Sequence, residues 1–306
     1  MRRLLSLAVC LVGLASADAP RLLRVPVCVE ARNGASSTLT AGALKVTVGG
    51  AQGRILRVLG PAEDLLLVLA LDLTEDLSLA ELAKEALASA IASLPPNVWI
   101  AVLRAQDGLK VLADPTNERE PVLRAIRELP VSGKAGLLET LPVALRLTDS
   151  ILAKSAVRVA LLYVTDSSIY NYREDYINPV INYSDQHDLS RRFPEGLIKE
   201  KIARLDRQLA FFQTPLYIVH LSYRNDRLNE AYQAGLLQLA SGLGGDSRFC
   251  RSRQEIPEVI SGVLDRLTRM YRVDIEAPAR GGTIVPLQMD SEAGPLSYRT
   301  RFVFPR

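Results

Sequence analysis

Apolar and polar positions follow two different periods along this chain, and one stretch obeys neither. Between Asp64 and Asp76 the sequence DLLLVLALDLTED runs apolar without a break from Leu65 to Leu71, then stops in an acidic, hydroxyl-bearing turn. The run is far short of the roughly 20 apolar residues a membrane span needs, and it offers no polar face to solvent. It predicts a strand buried on both sides of a sheet. From Leu77 to Leu94 the apolar residues Leu77, Ala80, Leu82, Ala83, Leu87, Ala90, Ile91 and Leu94 recur at helical spacing. The order is therefore strand, acidic turn, helix. In open parallel sheets ligands bind where strands end and helices begin, because backbone N–H groups and loop side chains converge there. That places Asp72, Thr74 and Asp76 at the edge of a candidate site.

The same reading extends along the chain. VWIAVLRA predicts a second strand, Asp107-Gly108 a hairpin turn, and LKVLA a third strand antiparallel to the second. A brief helix is expected over 115–129 and a long one from Leu137 to about Lys154. The fourth strand, Val157 to Val164, again closes on an acidic turn, Thr165-Asp166-Ser167-Ser168. The stretch from Ile169 to Pro194 has no period and carries Tyr170, Tyr172, Tyr176, Tyr183 and His187 among Asn and Asp residues. Loops of this length inside a domain are functional or disordered more often than not. Beyond it the pattern predicts a helix over 195–212, a strand from Pro215 to Leu221, a helix from Leu228 to Leu243, an edge strand from Ser247 to Cys250 and a helix from Gln254 to about Tyr271.

At both ends the period shortens to two. RLLRVPVCVEA, ALKVTVGG and RILRVL precede Pro61, and RVDIEAP, TIVPLQM and LSYRTRFVF close the chain, the last two expected as a hairpin. The fold class that follows is α/β: a doubly wound, mostly parallel sheet in a three-layer sandwich over 61–271, with 18–60 and 272–306 joining as one small β module.

Residues 1–17 carry Arg2 and Arg3, the apolar run LLSLAVCLVGL and then Ala15-Ser16-Ala17. This is the pattern of a signal peptide cleaved near Ala17, and it predicts an exported, periplasmic or extracellular protein without a membrane span. The segment holds two of the 37 basic residues and none of the 34 acidic ones, which leaves a nearly neutral balance of 35 against 34 in the mature chain. Nothing in that balance points to a nucleic-acid partner. Cys28 and Cys250 remain after cleavage, and the sequence does not show whether they meet.

ARNGASSTLTAGALKVTVGG, DLLLVLALDLTED, KAGLLETLPVAL, LLYVTDSS, ASGLGGDSRF and LTRMYRVDIEAP together resemble a von Willebrand factor A domain, more closely the exported VWFA-related proteins of acidobacteria. The resemblance implies the three-layer fold and a divalent-cation site: a D-x-S-x-S turn after the first strand, a Thr in a later loop, and an Asp after the fourth strand. Asp72 and Asp166 match the two Asp positions, and Thr74 stands for the first Ser. Two positions depart, since the second Ser is Asp76 and the Thr position is Ala135, which has no ligand atom. Lys134 stands beside it. Hard cations such as Mg2+ take about six oxygen ligands, so a weakly held Mg2+ or similar ion at Asp72, Thr74, Asp76 and Asp166 is one expectation. The other is that Asp72 and Asp166 cap helices or pair with the Lys134 ammonium, with no metal.

Other chemistry fails on spacing. Ser132-Gly133-Lys134 lacks the first Gly of a phosphate loop, no G-x-S-x-G occurs, and no His or Cys pair has zinc spacing. His220 ends an apolar strand, as structural histidines do. Two functions remain: a non-enzymatic protein-binding module for adhesion or scaffolding, with a degenerate metal site and a protein partner contacted by Tyr170, Tyr172, Tyr176, Tyr183, His187 and Lys134, or a hydrolase using Asp72, Asp166 and His187. The tyrosines suit partner contact. Equally, they could pack down and hold the loop in place.

Overall fold

A computed structural model describes residues 20–30, 38–172, 194–279 and 281–305. The expected signal peptide and the positions Tyr176, Tyr183 and His187 lie outside the described residues. In chain order the elements are β1 (Pro20–Val29), β2 (Leu44–Val48), β3 (Ala51–Gln52), β4 (Arg54–Leu59), β5 (Leu65–Asp72), α1 (Leu77–Ala92), β6 (Val98–Arg104), β7 (Lys110–Thr116), α2 (Arg119–Arg127), α3 (Leu137–Lys154) and β8 (Arg158–Thr165). They continue with α4 (Pro194–Leu209), β9 (Leu216–His220), α5 (Arg227–Gly242), β10 (Asp246–Phe249), α6 (Ile256–Arg269), β11 (Tyr271–Pro278), β12 (Ile284–Ser291), β13 (Leu296–Tyr298) and β14 (Arg301–Val303).

β5 is central because it is apolar on both faces. It lies between β8 and β6 in a six-stranded sheet of order β10-β9-β8-β5-β6-β7, all pairings parallel except the hairpin partner β7. Leu65, Leu67, Leu69 and Leu71 pack with α1, α2 and α6, whereas Leu66, Val68 and Ala70 pack with α3, α4 and α5. Each fully buried leucine contributes about 1.5–3 kcal/mol of transfer free energy. That is why the run tolerates no polar residue until Asp72.

Two boundaries differ from the pattern. β7 continues through Pro115 to Thr116, and α2 starts only at Arg119. β7 is an edge strand, where a proline lacking an N–H leaves no ladder bond unmade. LSYRTRFVF is also not one strand: β13 pairs with β1, and β14 pairs with β12. Between them Arg299 turns inward, only 6% exposed, and donates to the carbonyls of Phe212 and Ala210 at 2.5 and 2.7 Å. That inward turn breaks the extended run.

The β module consists of two four-stranded sheets, β13-β1-β11-β4 and β14-β12-β2-β3, closed around Leu23, Val25, Val27, Val46, Val48, Val273, Ile275 and Phe302. Both ends of the chain enter each sheet. Buried arginines fasten it to the sandwich. The Arg158 guanidinium donates to the carbonyls of Thr268, Met270, Pro61 and Glu63 at 2.6–3.2 Å. Arg272 grips Asp274 with two bonds and reaches the Ser155 and Val157 carbonyls at 3.0 and 2.6 Å. Among the described residues no helix is long and apolar enough to cross a membrane.

Candidate functional site

The chain ends of β5 and β8 are in register, with Asp72 opposite Thr165, so the two acidic turns meet at one edge of the sheet. Asp72 is fully buried. Its Oδ1 accepts the Gly136 N–H at 2.9 Å, and its Oδ2 accepts the Leu137 N–H at 3.3 Å and the Thr165 hydroxyl at 3.2 Å. Leu137 opens α3, whose own preceding residue, Gly136, has no side chain to cap it. Asp72 does that work from across the sheet. Glycine at 136 is required because a Cβ there would lie 1.8 Å from the Ala105 carbonyl oxygen.

Asp166, buried one residue after β8, faces the other way. Its Oδ1 accepts the Thr74 N–H at 2.8 Å, and its Oδ2 accepts those of Glu75 and Asp76 at 3.0 and 2.8 Å. Three successive amides thus close on one carboxylate, an arrangement that favours negative charge. Asp76 is turned away from both, capping α1 through Ser78 N–H at 2.9 Å and Leu79 N–H at 3.2 Å. The Thr74 hydroxyl lies 2.7 Å from that of Ser167 and accepts from the Asn171 amide at 2.8 Å.

Burial sets the electrostatics. It pushes the Asp72 carboxyl up to about 6, against the pull of the Gly136 and Leu137 amides and the Thr165 hydroxyl. It also raises Asp166 against its three amides. The Ser78 hydroxyl, by contrast, holds Asp76 below the usual carboxylate range. His220, buried at the end of β9, accepts the Ser222 N–H on Nδ1 at 3.3 Å, which leaves Nε2 to donate to the Ser167 carbonyl at 3.0 Å. Burial lowers its pKa to about 4, so the ring is neutral.

Lys134 does not pair with either buried carboxylate. It is exposed, and it is held by its backbone: its N–H donates to Asp107 Oδ1 at 3.0 Å, and its carbonyl accepts the Asp107 N–H at 3.1 Å. Gly133, at φ +97°, turns the chain into that clamp. Ala135 is buried, with its methyl group where the resemblance would place a hydroxyl.

The tyrosines divide. Tyr170 is 53% exposed, with its hydroxyl on Asp226 Oδ1 at 2.9 Å. Tyr172 is 4% exposed and hydrogen-bonds the buried Tyr232 hydroxyl at 2.9 Å, so the expectation that it contacts a partner is corrected: it packs inward. Sequence reasoning missed several residues that hold the face together. Glu75 accepts the Ser168 N–H at 3.0 Å and pairs with Arg224 at 2.8 Å. Asn229 accepts the Ile169 N–H at 2.9 Å. Leu77 and Tyr223, 64% and 44% exposed, stand beside this lattice in sequence, after Asp76 and before Arg224. An apolar first residue of α1 directly after a capping aspartate was the available signal for Leu77.

The residues present do not fit a divalent cation. A metal needs several free oxygen lone pairs aimed at one point, and here three bonds fall on the Asp72 carboxylate, three on Asp166 and three on Asp76 Oδ1, while the Thr74 hydroxyl is shared with Ser167 and Asn171. Among the described residues no three His, Cys, Asp or Glu side chains come together as a metal group would require.

The architecture is von Willebrand A-like: β5 at the centre of a doubly wound sheet, an antiparallel edge strand β7, and aspartates closing β5 and β8. No protein-family model matches the sequence, and no curated protein matches it either. Among solved structures, a von Willebrand factor type A protein from Catenulispora acidiphila is 13% identical over 95% of this chain and 75% of its own, with a TM-score of 0.45. The conserved hypothetical protein BatB from Bacteroides thetaiotaomicron is 13% identical over 66% of this chain and 98% of its own, at 0.40. Proximal thread matrix protein 1 from the mussel byssus, with a zinc-occupied MIDAS motif, is 12% identical over 71% and 48%, at 0.43. All three are distant likenesses.

Proposed function

We propose that this is an exported, non-enzymatic protein-binding module of von Willebrand A type, which docks a protein partner on the face formed by the ends of β5, β8 and β9, over a degenerate metal site. The observation that carries this reading is a pair of opposites at one sheet edge. Asp72, Asp166, Glu75 and Thr74 are tied to amides, hydroxyls and Arg224, while Leu77, Tyr170 and Tyr223 are 64%, 53% and 44% exposed. Exposed aromatic and aliphatic groups on a rigid base supply contact area at small entropic cost on binding. The signal-peptide pattern of residues 1–17 supports a periplasmic or extracellular setting.

The hydrolase alternative gains nothing from this geometry. Asp72 and Asp166 are buried, and three of the roughly four lone-pair sites of each carboxylate are taken by amides and a hydroxyl, which leaves neither well placed as a general base. The test is capture of a partner from the surroundings of the source cell by the mature protein, compared with a Leu77→Ser, Tyr170→Ser, Tyr223→Ser variant. We expect the variant to stay folded and lose the partner that the wild type holds. Equal capture by both, or turnover of an ester or phosphoester that Asp72→Ala abolishes, overturns the proposal.

A further inference from the structure

We infer that Asp72 and Asp166 serve as anionic caps of buried backbone amides, and that the face above them is complete without a divalent cation. The two carboxylates interlock three chain segments. Asp72 leaves β5 and secures the start of α3, while Asp166 leaves β8 and secures the turn between β5 and α1. Each carboxylate offers about four lone-pair sites. Asp166 has three of them on Thr74, Glu75 and Asp76 amides, and Asp72 has three on Gly136, Leu137 and Thr165.

A cation entering here would draw these oxygens off their donors. The Gly136 and Leu137 amides would then be left without an acceptor where solvent does not reach, which is the expensive way to break a hydrogen bond. Nor is there a compensating oxygen at position 135, where the buried side chain is a methyl group. The carboxylates instead meet the positive end of α3 and a row of aligned N–H groups, which together do what a metal's charge would do. Glu75 and Arg224 close the outer side with their ion pair.

The experiment reads cations on the isolated mature chain, so it can fail without touching the docking proposal, and the docking test can fail without touching it. Thermal unfolding is followed in EDTA, in millimolar Mg2+ and in millimolar Mn2+, with calorimetric titration of both ions. We expect one melting temperature in all three conditions and no binding heat. We also expect Asp166→Asn to lower that temperature equally in all three. A wild-type melting temperature that rises with Mg2+ or Mn2+, returns with EDTA, and loses that increment in Asp166→Asn overturns the inference. Should Asp166→Asn not fold, Thr74→Ala removes an oxygen while sparing every carboxylate–amide bond. A cation-dependent rise in wild type that disappears in Thr74→Ala overturns the inference in the same way, and cation-independent melting of both sustains it.

Discussion

Asp166 and Thr74 are 92 residues apart in sequence, and the carboxylate of the first holds the backbone amide of the second at 2.8 Å across the ends of two adjacent parallel strands. With the Glu75 and Asp76 amides on the same carboxylate, three successive backbone amides share one charge. Hydrogen bonds to charged groups contribute about 1.5–3 kcal/mol each, and buried donors left unsatisfied cost about as much. Asp166→Ala is therefore expected to lose about 3–5 kcal/mol of stability. Asp76→Ala, which removes an N-cap on a solvent-facing turn, is expected to lose only about 1 kcal/mol. Urea denaturation of both variants checks the ranking, and equal losses would contradict it.

Two buried groups pull stability in opposite directions with pH. His220 titrates at about 4 in the fold and near 6.5 when unfolded, so the unfolded chain binds the extra proton between those values. Its contribution is whole above pH 6.5 and is lost as pH falls toward 4. Asp72 titrates at about 6 in the fold against an ordinary 3.8, so the native state binds the extra proton, and stability falls as pH rises from 3.8 to 6. Each displacement is worth about 3 kcal/mol. Between pH 4 and 6.5 they offset, and Asp72→Asn leaves His220 uncompensated. Urea midpoints of that variant should fall markedly faster than wild type from pH 6.5 to 4. Parallel profiles would show that the two groups do not oppose each other.

Among the described residues the buried guanidinium of Arg158 is bonded to carbonyl oxygens alone, from the Pro61–Glu63 linker and from the end of α6 through Met270. Arg158→Met fills similar volume but frees those carbonyls, and about 3 kcal/mol or more should be lost. Amide exchange should accelerate in β11 and near residues 61–63 while α3 stays protected. Acceleration spread evenly over the sandwich would speak against a local clasp.

Leu77 and Tyr170 are exposed, so Leu77→Ser and Tyr170→Ser should each change stability by less than about 0.5–1 kcal/mol. Tyr172→Ser removes a buried ring and its hydrogen bond with the Tyr232 hydroxyl, and should cost about 3 kcal/mol or more. Thermal melts of the three variants separate display from packing directly.

The sandwich was legible because its signals are local. Leu65 to Leu71 leaves no face for water, and α3 begins at Leu137 and ends at Lys154 as its apolar spacing predicts, even with Pro142 inside it. The acidic turns were legible as a meeting place because both follow buried parallel strands. Their partners were not, since the amides of Gly136 and Leu137 become donors to Asp72 only once chain segments 64 and 65 residues away arrive. Charge alone suggested that Lys134 would turn toward the aspartates, but the Asp107 clamp on its backbone orients it outward. Of the two readings of the loop tyrosines, Tyr172 follows the inward one, and the sequence could not choose between them because an amphipathic ring is drawn inside only by the neighbour waiting there, here Tyr232.

β1 is paired along nearly its whole length with β11, from Pro20 opposite Pro278 to Val27 opposite Tyr271. A chain emerging from its N-terminus therefore presents the first of these strands some 250 residues before its hydrogen-bonding neighbour exists. Until then an apolar edge is bare, the situation that slows folding and invites aggregation or capture by a chaperone. Because β2 likewise pairs with β12, both sheets of the module can close only after β11 and β12 have emerged, well after the strands and helices of the sandwich.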